Sequence, residues 1–297
     1  MFRIITILGL LLVSPHTLSA NSIELDMASL VDDLMSVDNA IKKRINTSGR
    51  QRMLTQRMTK LSLLISLHIE KDKNRKKLMK FAKLYDTTLS EFKKGNSKLN
   101  FSKDDNDKIN KQIAVVDKLW KEFFNNVKVI DSGKDKGDKA LNYIISHNEP
   151  LLKESNRLVS LYEKANKSQN YMEKAMVKIV NLAGRQRMLT QKMTKEKLLC
   201  VKGKKEYKKS IVKTIKLFDD SLNALINGDP KQNIPKPSNK KIKNQLDKVK
   251  KLWDELKPLY QNFNPDAKTL TIIIKKNPIL LKEMNTMVTL AEQETEY

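Results

Sequence analysis

Cysteine is nearly absent from this chain: Cys200 is the only one. A single thiol closes no internal bridge, so no disulfide staples the fold even in an oxidising compartment. Cys200 reads as a half-buried structural thiol, with cross-linking of two chains as the alternative. Histidine is almost as scarce. Beyond the N-terminal leader only His68 and His147 occur, each reading as a helix-face residue, and the sequence holds no metal-ligand spacing or nucleophile motif. There is no glycine-rich phosphate loop and no evident cleft motif of paired carboxylates. Catalysis is therefore not expected, and no metal, cofactor or catalytic residue is assigned. Glycine and proline, eight of each, are few, and strand-like alternation is essentially missing, which favours helix over sheet. Past the leader no apolar run approaches the length of a membrane span; the nearest, Leu270 to Ile274, is far too short.

Acidic residues are outnumbered. Lys and Arg total 58 against 34 Asp and Glu, a net charge of +24. Such a surplus suits acidic partners, whether nucleic acid, anionic lipid or small oxyanions, although lysines scattered over helix faces account for much of it. No aromatic platform is interleaved with a compact basic cluster, so nucleic acid is not the expected partner. The first twenty residues read as a cleaved secretory signal, with Arg3 before the apolar run Ile4 to Val13 and Leu18-Ser19-Ala20 at the cleavage site. An uncleaved anchor is the alternative. No Cys follows the apolar run, which argues against a lipoprotein. A periplasmic location is expected.

What the chain does contain is a sixteen-residue block, present twice. Ile45 to Lys60 returns as Val180 to Lys195, and Gly49 to Gln56 is identical to Gly184 to Gln191, both reading GRQRMLTQ. Further landmarks repeat: Tyr85-Asp86 with Phe218-Asp219, Leu119-Trp120-Lys121-Glu122 with Leu252-Trp253-Asp254-Glu255, and Leu151 to Glu154 with Leu280 to Glu283. The chain thus divides into a leader, residues 1–20, and two copies of one domain, residues 24–166 and 167–297. Each reads as four helices. In the first copy helix one spans about 26–70, helix two ends at Gly95, helix three is capped by Ser102 and ends at Ser132-Gly133, and Asn148-Glu149-Pro150 opens helix four after a short helical piece. Asn277-Pro278 is its counterpart, and Pro235 and Pro237 mark the matching loop of copy two. The expected class is all-α, two tandem up-down four-helix bundles. From Pro150 to Val201 only Gly184 interrupts helical propensity. One shared helix of about fifty residues, about 75 Å long at 1.5 Å per residue, would stack the bundles end to end; a kink near 167–169 would instead let them pair.

On a helix the block has one telling face. Ile41, Ile45, Gly49, Arg52, Gln56, Thr59 and Leu63 lie along it, as do Met176, Val180, Gly184, Arg187, Gln191, Thr194 and Leu198 in copy two. A polar centre interrupts an apolar stripe. An arginine on a partly buried face keeps its proton and needs an anion. No carboxylate lies between Asp38 and Glu70, nor between Glu173 and Glu196, so the partner comes from another helix, another subunit or a ligand. Gly49 and Gly184, one turn earlier, allow close approach. On one reading Arg52 and Arg187 pair with acids present in both copies: Asp86 and Asp219, Glu122 and Glu255, or Glu154 and Glu283. On the other they bind a small oxyanion or carboxylate, with Gln56, Gln191, Thr59 and Thr194 as secondary donors.

The block closely resembles the helix-one signature of PilJ-type domains, the N-terminal sensory region of type IV pilus methyl-accepting chemotaxis transducers. It is more distantly similar to the periplasmic domains of nitrate/nitrite sensor kinases, whose first helix carries A-G-x-x-R-M. The resemblance implies a four-helix bundle used in periplasmic sensing. In the nitrate sensors the arginine of G-x-x-R-M from two subunits clamps one anion at the dimer interface; by position it is Arg52 here, and Arg187 in copy two. Those relatives carry transmembrane helices and cytoplasmic signalling modules that this sequence does not show, so a membrane-bound sensor kinase or chemoreceptor is the implied partner. Two functions follow. One is an exported anion sensor. The other is a structural or adaptor module whose repeated blocks pair as a homodimer or dock another chain.

Overall fold

The computed structural model describes residues 40–95, 103–166, 170–293 and 297. Among them are eight α-helices. Copy one supplies α1 (Ala40–Ser66), α2 (Lys71–Lys94), α3 (Asp107–Ser132) and α4 (Lys139–Ala165). Copy two supplies α5 (Tyr171–Val201), α6 (Tyr207–Asn227), α7 (Lys240–Gln261) and α8 (Ala267–Gln293). The described residues form no strand, only an isolated bridge between Asp229 and Ile234. No helix among them is long and apolar enough to cross a membrane. Within each copy the four helices close a ring in sequence order, the first packing on both the second and the fourth.

Local chemistry sets the helix ends. Asn106, not Ser102, caps α3, its side chain accepting from the N–H groups of Lys108 and Ile109; Ser102 lies outside the described residues. Gly133 takes φ 72° and ends that helix. Asn239 caps α7 in the same way as Asn106. Pro150 and Pro278 do not open helices: both sit inside α4 and α8. An internal proline costs about 3 kcal/mol. Upstream of Pro150, Ala140, Leu141, Ile144 and Ile145 are buried against the bundle, and burying such side chains returns more than that.

The repeated landmarks meet in space. Trp120 packs on Tyr85 with ring centroids 4.1 Å apart, and its indole N–H donates to Asp86 at 2.8 Å. Trp253 packs on Phe218 at 4.3 Å and donates to Asp219 at 2.6 Å. Gln51 and Gln186 of the block tie helix one to helix two through the carbonyls of Tyr85 and Phe218, at 3.0 and 2.8 Å. One hydrophobic core runs through both copies.

The two bundles do not share a helix. Helix α4 stops at Ala165, Asn166 takes extended backbone, and Asn170 caps α5 by accepting from the N–H of Glu173. Asparagine competes for backbone hydrogen bonds in this way and favours such ends. The expected kink position, 167–169, lies outside the described residues. The copies then lie side by side, with α1 packed along α5 and α2–α4 and α6–α8 on the outer flanks. Helix α1 is consequently buried on every face from Ile45 to Ile65, although it carries Arg50, Arg52, Arg57 and Lys60.

Candidate functional site

Pairing of α1 with α5 turns the repeated block against its own duplicate. Arg52 is 2% exposed and Arg187 0%, so neither faces solvent. Their guanidinium groups converge over Gly184, where a Cβ would stand 3.5 Å from Nη2 of both. At Gly49 a Cβ would be only 3.0 Å from Nη2 of Arg52. At Gly49 a Cβ would crowd the Arg52 guanidinium folded back along its own helix, which accounts for a residue that costs about 1 kcal/mol in a helix interior, whereas at Gly184 the spacing is ordinary van der Waals contact.

The arginines exchange partners across the interface. Arg52 Nη2 donates to Asn181 Oδ1 at 2.9 Å, and Nη1 reaches Asn156 Oδ1 at 3.4 Å. Arg187 Nη2 donates to Asn46 Oδ1. Asn46 and Asn181 open the two blocks at equivalent places. Behind Asn181 stands a carboxylate, Glu163, whose Oε2 accepts from the Asn181 amide at 2.8 Å. The charge of Arg52 is thus met by amide oxygens, with Glu163 one residue removed. Burial, reinforced by Arg185 and Arg187, draws the Arg52 guanidinium from its ordinary value down to about 9, while Glu163 pulls the other way. Around Arg52 the positive charges of Arg185 and Arg187 outweigh the negative charge of Glu163.

The acids considered as structural partners are engaged elsewhere. Asp86 and Asp219 hold the tryptophans. Glu154 and Glu283 accept from Gln112 and Gln245, each at 2.8 Å. Glu122 meets Asn126 and Glu255 meets Lys276. Gln56 and Gln191 are fully buried one turn beyond the arginines, and the side-chain oxygen of each has no hydrogen-bond partner. Asn285, the copy-two counterpart of Asn156, is 2% exposed and its amide is unpartnered at both ends. Buried polar groups are rarely left so. Thr59 and Thr194 bond the carbonyls of Thr55 and Thr190 in their own helices, and Thr194 also meets the Tyr260 hydroxyl at 2.7 Å. Those bonds lie within the bundles, away from the arginine pair.

A second tier lies two turns further along. Lys60 Nζ donates to Asn277 Oδ1 at 2.8 Å, and Lys195 Nζ to Asn148 Oδ1 at 2.9 Å. Each asparagine also binds the helix-one carbonyl of its own copy, Asn148 to Thr55 and Asn277 to Thr190. Sequence reasoning placed Asn148 and Asn277 as helix caps. Their repetition ahead of a proline in both copies was the available signal for a shared interior role. The tier is not symmetric, because Glu149 pairs with Lys195 at 2.7 Å and Lys192 at 2.5 Å, whereas its counterpart is Pro278. Burial would raise the Glu149 carboxyl, but Lys195 and Lys192 outweigh it and hold it at about 2. Among the described residues no cluster of three metal-ligating side chains occurs.

Two tandem four-helix bundles joined face to face across a cationic seam define the molecule as a duplicated helical-bundle protein. Two segments, residues 34–142 and 169–273, match the family model for PilJ, the type IV pili methyl-accepting chemotaxis transducer N-terminal domain. The chain belongs to that family, a non-enzymatic sensory domain of chemoreceptor signalling. No curated protein and no solved structure matches it.

Proposed function

We propose that this protein is a periplasmic anion sensor. A small oxyanion or carboxylate binds between the two copies, bridges Arg52 and Arg187, and its presence is relayed to a membrane-bound sensor kinase or chemoreceptor. The observation that carries the reading is the convergence of two buried guanidinium groups over Gly184, with Arg52 bonded to amides and not to a carboxylate. An unpaired buried charge costs several kcal/mol, and an anion held by charge-assisted hydrogen bonds recovers it. The buried, unpartnered amide of Asn285 and the idle ends of Gln56 and Gln191 supply further polar groups, since a carboxamide turned about its last bond presents either oxygen or N–H. The N-terminal leader supports export, and the family supports signalling through a membrane partner.

Isothermal titration of the exported chain with nitrate, nitrite, phosphate and acetate tests this. At least one is expected to bind, and Arg52→Ala with Arg187→Ala should weaken it by about 100-fold or more, the loss of two charge-assisted contacts. Silence with every ion, or undiminished binding by the double variant, would refute the reading. The second reading, a purely structural seam, draws on the crossed Arg–Asn and Lys–Asn bonds, which already lock the copies together. It expects no ligand and a large loss of stability in the same variant.

A further inference from the structure

The identical blocks place one arginine in opposite settings. Arg50 is 1% exposed, while its twin Arg185 is exposed and makes no hydrogen bond or ion pair among the described residues. Arg185 instead lines a solvent-facing cavity of about 240 Å³ with Lys178, Asn181, Glu163, Gln232 and Leu182. Lys178 Nζ spends one donor on the Gln232 carbonyl at 3.2 Å and keeps two. Asn181 is the wall between this cavity and the buried pair: its amide N–H₂ faces Glu163, and its oxygen takes Arg52.

We infer that this cavity is an outer anion site and the mouth of the arginine seam, with Arg185 and Lys178 capturing an oxyanion or carboxylate and the Glu163–Asn181 pair acting as the latch that it displaces. The inference rests on the anion-sensor reading and adds where the ion enters and what opposes it. Glu163 carries the same charge as the ligand and already partly balances Arg52. While its bond to Asn181 lasts, the amide oxygen stays on Arg52. An anion arriving between Arg185 and Lys178 repels Glu163, frees Asn181 and inherits the guanidinium. The equivalent arginine of copy one, Arg50, is buried, so the outer site as inferred belongs to copy two.

The test titrates nitrate, inorganic phosphate and acetate into the full chain and three altered forms: Arg185→Gln, Glu163→Gln, and Arg52→Ala with Arg187→Ala. Glu163→Gln should tighten binding about tenfold by removing a like charge, and Arg185→Gln should weaken it about five- to tenfold, less so at high salt. Because Arg185 is exposed and unbonded, its variant should melt with the parent, which separates lost capture from lost folding. If the parent binds and both single variants match it, or if Glu163→Gln binds more weakly, the mouth and latch are wrong while the arginine pair stands. If Arg185→Gln abolishes binding that the double variant retains, the outer site stands and the inner pair falls. If the parent binds none of the ions, both readings fall.

Discussion

Arg52 and Arg187 illustrate how buried cations burden a fold. Two like charges sit in a buried seam, and replacing buried charged groups by apolar ones of similar volume is often neutral or stabilising by about 1–4 kcal/mol. Changing Arg52→Met together with Asn181→Leu removes the charge and its shortest-bonded acceptor, giving up the 3.4 Å contact to Asn156 and the Asn181–Glu163 bond as well. This variant should melt at least as high as the parent in the absence of added anion, while losing anion binding. A lower melting temperature would mean that the guanidinium is a net stabiliser, as the structural-seam reading expects. Glu149 makes the opposite case. Its carboxyl is held at about 2, below the ordinary 4.5, so its contribution is complete above about pH 4.5 and disappears as pH falls towards 2. Chemical denaturation at pH 7 and pH 3 should show a loss on acidification that is smaller in Glu149→Gln, whose stability at pH 7 should already be reduced.

At the level of elements, α1 and α5 are the unusual helices. A surface helix shows one apolar stripe, but α1 is buried on every face from Ile45 to Ile65, and α5 is buried over most of its length, with Arg185 the exposed exception within the block. The resolution is that their polar residues pair across the seam: Arg52 with Asn181, Arg187 with Asn46, Lys60 with Asn277, Lys195 with Asn148. The last two asparagines stand two residues or fewer before a proline within α4 and α8, and join helix four to both central helices. Asn277→Ala removes the acceptor used by both Lys60 and Gln191 and the donor to Thr190. It should destabilise the protein by about 2–4 kcal/mol in urea unfolding, more than an exposed Asn→Ala change such as at Asn264. Equal effects at the two positions would show that the second tier carries little of the seam.

For the whole molecule, duplication brings the two faces of the seam together within one chain. A pair of separate chains pays the entropy of association, whereas a tandem copy is held near its mate at high effective concentration. The block face that a second chain would dock against is covered by the other copy. Size-exclusion chromatography with light scattering should therefore report the mass of one chain, at most 34.3 kDa, with or without anion. A persistent dimer would place additional pairing outside the seam. Being covalently linked also frees the two halves to diverge, and they have: Glu149 against Pro278, and open Arg185 against buried Arg50.

Helical class, the duplication, and the want of a carboxylate beside Arg52 and Arg187 on their own helices were legible in the residues alone. Periodicity is a local property, an exact eight-residue repeat needs no coordinates, and a cation-rich stretch without acids must seek its partner at a distance. Helix starts at proline were misread because propensity is local, whereas burial of Ile144 and Ile145 is decided by the bundle. The end-to-end arrangement was left open because both arrangements satisfy the same stripe. Only tertiary packing decided that the stripe of α1 faces that of α5, that the nearest groups to Arg52 are amides contributed from residues more than a hundred positions away, and that one of two identical arginines looks into a cavity. Such contacts depend on how helices far apart in sequence come together, and no pattern within a single helix encodes them.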